Sequence, residues 1–293
     1  MKSKLAELGL MLSVALWGAS FALTKPLLDI MNIFTFMAMR FVIGGIILVF
    51  FLVVFKQFKL SNQALKGGLI TGLLLFLAFI LHTYGLKYTT VAKNAFIVGS
   101  NVIFVPIILT FIYKKHQTKN IWFSTILAII GLALITLDGI HGGINNGDII
   151  TVFGTIFISF YILKVEKFVK NTHAITLASI QVLTVGVLSL LFALFSEDLS
   201  LLTTNLKINP QLWINILILS IGCTSIAYLI ANYCQSILTA SRTALLYVFE
   251  PLFGALFGWI ILGEALGLQG LAGALLITFA TILPSISRLI RDN

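Results

Sequence analysis

Charge is scarce in this chain. Of its 293 residues only 10% are Asp, Glu, Lys or Arg, while 59% are hydrophobic. A soluble domain carries about a quarter charged and about half apolar residues, so an ordinary water-facing surface is excluded. Cysteine is nearly missing. The two present, Cys223 and Cys234, lie 11 residues apart on one apolar run, about 16 Å along a helix axis, and cannot bond to each other. They read as small packing residues. The four histidines, His82, His116, His141 and His173, stand singly, and no metal-ligand spacing appears. There is no phosphate-binding glycine loop and no nucleophile elbow. No metal and no cofactor is expected, and the driving force for any work has to be a gradient.

Long apolar runs dominate what is there. Ten are long enough to cross a hydrocarbon core, which takes roughly 20 residues per helix: 5–24, 33–55, 66–87, 93–113, 121–138, 148–165, 174–195, 211–235, 241–262 and 268–288. They do not alternate as β-barrel strands do. The expected fold is an all-α integral membrane protein with ten transmembrane helices. The basic, apolar N-terminus reads as the first span rather than a cleaved leader, because further spans follow directly.

The net charge of +9 is distributed by topology. With the N-terminus in the cytoplasm, fourteen of the 19 basic residues fall inside: Lys2, Lys4, Lys56, Lys59, Lys66, Lys114, Lys115, Lys119, Lys164, Lys167, Lys170, Arg242, Arg288 and Arg291. Lys25, Lys87, Lys93 and Lys207 fall outside, and Arg40 lies within the second span. Asp29, Asp138, Asp148, Glu197, Asp198 and Glu264 also fall outside. This bias places both termini in the cytoplasm of a plasma-membrane protein. It also removes nucleic acid as the reason for the basic charge.

The chain is written twice. A shift of 149 residues pairs Thr90 with Thr239, Lys93 with Arg242, Ala95 with Ala244, Ser124 with Gly273 and Gly131 with Ala280. Five spans per half is an odd number, so the halves cross the membrane in opposite directions. Inverted repeats of this kind are a transporter architecture, with the site between the halves. The expected units are residues 1–142 (spans 1 to 5) and 143–293 (spans 6 to 10), hinged near Asn145–Asp148.

Several segments carry a resemblance. Span 1 leads through "WGASFALTKPLL" to "FMAMRFVIGGIIL"; span 4 reads "AKNAFIVGSNVIFVPII"; span 9 reads "FEPLFGALFGWIILGE", followed by "GLQGLAGALLI". Over nearly its whole length the chain resembles the EamA family of the drug/metabolite transporter superfamily. The resemblance implies ten helices in two inverted halves, cytoplasmic termini, and export or exchange of small metabolites, often amino acids or amphipathic compounds. Span 6, "ISFYILKVEKF", departs from it by lacking a counterpart of Trp17.

Polar side chains form stripes on the spans: Ser13, Trp17, Ser20 and Thr24 on span 1; Thr151, Thr155 and Ser159 on span 6; Gln181 and Thr184 on span 7. Span 8 carries Ser225, Tyr228, Asn232 and Gln235, and span 9 carries Tyr247, Glu250, Gly254 and Gly258. Arg40 marks span 2, His82 span 3, and Asn94 and Asn101 span 4. Spans 5 and 10 are nearly bare and belong at the periphery. Each single Ser, Thr or Gly is better explained by close helix packing than by a part in the path. Charges near mid-membrane differ, because each costs roughly 2.5–3.5 kcal/mol even on insertion scales. Glu250 and Arg40 are therefore either functional or a structural pair with each other or with backbone. Pro106 and Pro251 weaken their helices and are candidate kinks for gating. Lys25, Lys87, Lys164 and Lys167 are within reach of an interface.

The residues expected to bind substrate or line its path are Glu250, Arg40, Trp17, Ser20, His82, Asn101, Tyr228, Asn232, Tyr247 and Gln181. Trp17 lies deep enough to stack on an apolar or aromatic substrate. Arg40 would attract a carboxylate and Glu250 an amino group, or carry protons. The expected function is a secondary transporter exporting a small amphipathic metabolite, an amino acid or relative, by alternating access. A transporter of drugs, cations or vitamins is the alternative. An intramembrane transferase is remote, since a single acidic residue lies in the core. The partners are a small-molecule substrate, the bilayer and, under the coupling reading, protons; the sequence does not set the oligomeric state.

Overall fold

The computed structural model describes residues 2–28, 30–55, 60–88, 91–136, 144–198, 210–262 and 267–291. Asp29, Lys56, Lys59, Thr90, Asp138, His141, Lys207 and Glu264 lie outside the described residues, as does the 142/143 boundary. So do the side chains of Lys25, Lys93, Gly258, Arg288 and Arg291.

Among the described residues every regular element is a helix. In chain order they are α1 (Lys2–Leu28), α2 (Ile33–Val54), α3 (Asn62–Tyr88), α4 (Val91–Gly99), α5 (Asn101–Ile107), α6 (Lys119–Thr136), α7 (Asn146–Val169) and α8 (Ala174–Ser196). There follow α9 (Pro210–Ile218), α10 (Ala227–Gln235), α11 (Ala240–Tyr247), α12 (Phe249–Leu262) and α13 (Leu268–Arg291). Wider π-type turns, Ile108–Ile112 and Leu219–Ile226, extend α5 and join α9 to α10.

By length and composition, seven helices among the described residues can cross a membrane, the first being Lys2–Phe21 and the last Gln211–Gln235. The fifth and tenth runs give shorter apolar helices, Lys119–Leu134 and Leu268–Leu283. The ninth run is divided. Pro251 has no N–H to give to the carbonyl of Tyr247, and the helix stops there and restarts at Phe249. Pro251 then sits in the first turn of α12, where a missing N–H costs little. The fourth run is divided as well, at Ser100, and the two breaks lie 148 residues apart. Pro106 has a separate consequence. It leaves Val102 O without its intrahelical donor, and the Thr125 hydroxyl of α6 takes that place at 3.5 Å.

Packing follows small residues. The long α3 lies against α7 and α8, while α1 lies against α12 and α10. In the same way α2 packs on α8 and on the Leu219–Ile226 turn, and α6 packs on α13. Gly18 lets α1 touch the backbone of α12. A Cβ there would sit 2.5 Å from Phe253 Cβ and 2.9 Å from Glu250 O. At Gly131 of α6 a Cβ would come within 2.7 Å of Gly273 O on α13. The outer face is apolar, as lipid contact requires: Leu5, Phe111 and Phe195 are more than two-thirds exposed, at 72%, 73% and 88%.

Side-chain contacts define two ends. The lower end, where α1 begins, also holds the start of α11, through Glu7 and Arg242 at 2.9 Å, and the end of α10, where Cys234 lies against Gly9. The end of α7 joins it through Glu166 and Ala240. At the upper end Glu197, just past α8, accepts from the N–H groups of Phe34 and Thr35 at 2.8 Å each, satisfying the first turn of α2. Asn145 and Asp148 close a reciprocal cap at the start of α7 there.

Candidate functional site

A cavity of about 130 Å³ lies at the centre of the bundle. Its walls come from α1, α2, α3, α4, α5, α7, α10, α11 and α12; among the described residues none of α6, α8 or α13 lines it. It reaches from Trp17, Tyr161, Tyr228 and Tyr247 at its floor toward Leu28, Phe36 and Leu86 near the upper end.

Arg40 is 3% exposed and is held from three sides. Its Nε donates to Thr224 Oγ1 at 2.9 Å and its Nη2 to Cys223 O at 3.5 Å. The guanidinium lies 5.5 Å from the ring centroids of Phe41 and of Phe79, a separation at which the ring faces attract a cation. The local sequence makes this possible. The π-type turn Leu219–Ile226 widens the backbone and leaves the Cys223 carbonyl available to outside donors, a common property of such turns at functional sites. Trp17 Nε1 uses the same carbonyl at 3.0 Å.

Glu250 is the second residue of α12, just after the break at Val248, and it faces the cavity. Among the described residues no group forms a hydrogen bond or ion pair with its carboxylate, Arg40 included. The cavity thus presents a fixed guanidinium and an unpaired carboxylate in one aromatic enclosure. In such a low-dielectric place each charge acts far more strongly on a ligand than it would in water.

Other expected residues also reach the cavity. The Ser20 hydroxyl donates to Trp17 O at 2.7 Å. The His82 ring packs on Gly154, and its Nε2 lies 3.5 Å from the Thr155 hydroxyl. Asn101 Nδ2 donates to Val98 O at 2.9 Å, which fixes the orientation of the amide; its Oδ1 has no partner among the described residues. Tyr228 and Tyr247 flank Trp17, with ring centroids 5.1 and 5.2 Å away. Trp17 itself is 7% exposed. The aromatic surface offered to a ligand is therefore that of the cluster, and Trp17 anchors it.

Gln181 and Asn232 are placed differently. Both are fully buried below the floor rather than on the cavity wall. Gln181 Nε2 lies 3.1 Å from Tyr161 Oη and 3.4 Å from Asn232 Oδ1. Pro106 and Pro251 lie within α5 and α12 respectively, and only the second is beside a break at the cavity.

Sequence reasoning missed Tyr161, Phe79 and Phe36. A signal existed for the first two. A tyrosine hydroxyl in mid-span needs a partner, and Phe79 lies one turn from His82 on the same face. Phe36 carried no such mark, being one apolar residue among many on α2.

An EamA-like transporter family model matches residues 4–137 and 145–286. An uncharacterized transporter of Archaeoglobus fulgidus is 32% identical, over 96% of this chain and 86% of the relative. The S-adenosylmethionine/S-adenosylhomocysteine transporter of Chlamydia muridarum is 23% identical over 87% of this chain and 83% of its own length. One chain of known crystal structure superposes with a TM-score of 0.79, covering 98% of this chain and 99% of that one. At 16% identity that likeness establishes the fold alone.

Proposed function

The chain belongs to the EamA-like transporter family, and from that premise we propose that it is a secondary transporter of the plasma membrane exporting an amino acid or a close relative by alternating access. Membrane transport is the family's common ground; the substrate, direction and mechanism are our reading.

One observation carries it: an immobilised guanidinium and an unpaired carboxylate share a small aromatic-walled cavity. Arg40 takes the substrate carboxylate and Glu250 its ammonium group, while Tyr228, Tyr247 and Phe79 meet the side chain. The Chlamydia relative, named for an amino-acid derivative, is compatible with that pairing.

The architecture we propose is ten spans in two inverted five-helix repeats, meeting near residues 142/143. The family model matches once on each side of that point. The packing exchanges under the swap of halves: α3 on α7 matches α10 on α1, and α2 on α8 is its own counterpart. Broken helices beside the central site are how such repeats bind charged substrates. Described basic residues, Lys2, Lys4, Lys114, Lys115, Lys164, Lys167, Lys170 and Arg242, gather at the lower end. We therefore place that end, with both termini, in the cytoplasm.

The second reading, a carrier of organic cations, rests on the same unpaired Glu250. Counterflow in liposomes separates the two. Purified protein is loaded in turn with amino acids, vitamins and a permanently charged dye. Exchange of amino acids, abolished by Arg40→Gln, supports the proposal. Exchange of the dye alone, insensitive to Arg40→Gln, replaces it with the cation reading.

A further inference from the structure

Below the cavity floor the bundle does not turn apolar. Gln181 of α8, Asn232 and Gln235 of α10 and Thr243 of α11 are all 0% exposed. They continue the cavity walls downward. Asn232 lies one helical turn below Tyr228, and Thr243 one turn below Tyr247, each on the face of its helix that lines the cavity. Two bonds tie this seam to the floor: Gln181 Nε2 to Tyr161 Oη at 3.1 Å and Gln235 Nε2 to Tyr247 Oη at 3.0 Å.

The seam is under-bonded. Asn232 Nδ2, Gln235 Oε1 and Thr243 Oγ1 have no hydrogen-bond partner among the described residues. A polar atom buried without a partner has given up its hydrogen bonds to water and destabilises the packed state. A layer serving only to pack helices would be more stable with apolar side chains of the same size. These groups instead have the makings of a lining that is met by water or by a polar solute in another conformation.

What shuts the seam is also visible. α11 is an eight-residue helix, cut from α12 at Val248. Its first turn is clasped by four separate parts of the chain. Ala240 N donates to Glu166 Oε2 of α7 at 2.9 Å. The Ser241 hydroxyl donates to Gln117 Oε1, between α5 and α6, at 2.7 Å. Arg242 Nε donates to Glu7 Oε1 of α1 at 2.9 Å, and Arg242 Nη1 donates to Thr281 O of α13. A short helix fastened at its start and jointed at its end is built to move as a unit.

Building on the transport reading, we propose that the Gln181–Asn232–Gln235–Thr243 seam is the closed lower half of the substrate path, and that α11 is its gate, latched by Glu166, Gln117, Glu7 and Thr281. Unlatching lets α11 swing about Val248, exposes the seam from the lower end and hands the substrate's polar groups to the unpaired amide and hydroxyl atoms. Release would then proceed past Asn232 and Gln235 rather than along the peripheral α6 and α13.

The test reads accessibility and needs no substrate. Thr243→Cys is made in a chain whose Cys223 and Cys234 are alanine, and is reacted with a membrane-impermeant thiol reagent from each face of the membrane. Slow labelling from the lower face is expected with the latch intact. Arg242→Gln should raise that rate at least about tenfold by shifting the population toward the open gate, and Ser241→Ala, which removes one bond, should raise it less. Labelling at one rate whatever the latch, labelling from the upper face, or none in any variant overturns the proposal. Should Arg242→Gln fail to accumulate, Glu7→Gln and Ser241→Ala carry the same comparison. Counterflow on the unlabelled protein is scored separately, so a transporter without this gate is distinguishable from a gate in a protein that moves no amino acid.

Discussion

The central cavity and the polar seam below it are both lined by polar side chains and present them in opposite ways. In the upper half Arg40, His82 and Glu250 turn toward open space. In the lower half Gln181, Asn232 and Gln235 turn toward one another and toward the tyrosines of the floor. The backbone framework hardly distinguishes them, since the fourth and ninth runs break at matching places. The difference is that the upper groups border a cavity, whereas the lower ones are packed shut against their neighbours. On the proposed reading a helix stripe records the whole path, and the closure of one half is decided by a handful of contacts at its end.

The largest effect should come from the framework that both halves share. Gly18 brings α1 against the backbone of α12 beside the break, and a Cβ there would overlap Phe253 and approach Gly254 N to 2.8 Å. Gly18→Leu should cost about 3 kcal/mol or more through overpacking and remove most folded protein from the membrane, as measured by quantitative size-exclusion of detergent extracts. Normal yield would mean that the α1–α12 contact is looser than the structure has it.

Next comes the upper half alone. Glu250→Gln keeps the shape of the side chain and removes the charge. Membrane insertion and yield should be unchanged, and initial transport rates should fall at least about tenfold, which is roughly 1.4 kcal/mol. A wild-type rate would reduce Glu250 to a structural residue and leave Arg40 as the only charge with a part in binding. Misfolding would instead mark the carboxylate as a member of a buried pair.

The lower half should answer in the opposite sense. Thr243→Val is nearly isosteric and deletes a hydroxyl that has no partner. The closed state should gain about 1 kcal/mol, visible as a melting temperature higher by about 2–4 °C, while turnover slows about threefold because the open gate no longer has that group to solvate. A lowered melting temperature with unchanged turnover would contradict the contrast between the two halves.

Much of this was legible in the sequence, for identifiable reasons. Periodic stripes place Tyr228, Asn232 and Gln235 on one face of one helix, and the cost of burying charge singles out Glu250 and Arg40. The break at Val248 follows from Pro251. Three things were not legible. The partner of Arg40 is a backbone carbonyl and a threonine on a π-type turn, and no pattern in "LSIGCTSI" announces that turn. Trp17 looks like a stacking platform until its neighbours Tyr228 and Tyr247, from distant runs, take up its surface. Finally, the proposed division of the span 8 stripe between open cavity and closed seam rests on contacts of Ala240, Ser241 and Arg242 whose partners, Glu166, Gln117, Glu7 and Thr281, are spread over the whole chain.

The smallest effect is expected where neither half reaches. α6 and α13 pack on each other through Gly131 and Gly273, and among the described residues neither contributes to the cavity. They carry few polar groups: the Thr281 hydroxyl donates to Thr278 O at 2.8 Å, Thr125 compensates for Pro106, and the buried Ser124 hydroxyl has no partner among the described residues. Ile129→Cys and Leu276→Cys should therefore transport within about twofold of the parent, as expected for substitutions distant from the site. Neither thiol should be protected by substrate from a water-soluble reagent, in the parent or in Arg242→Gln. The second condition matters more, because opening the gate moves α11, and α11 touches both α6 and α13. Protection appearing at Leu276→Cys only when the latch is broken would place α13 on the lower path, and would move the exit from the Asn232–Gln235 face of α10 to the opposite side of α11.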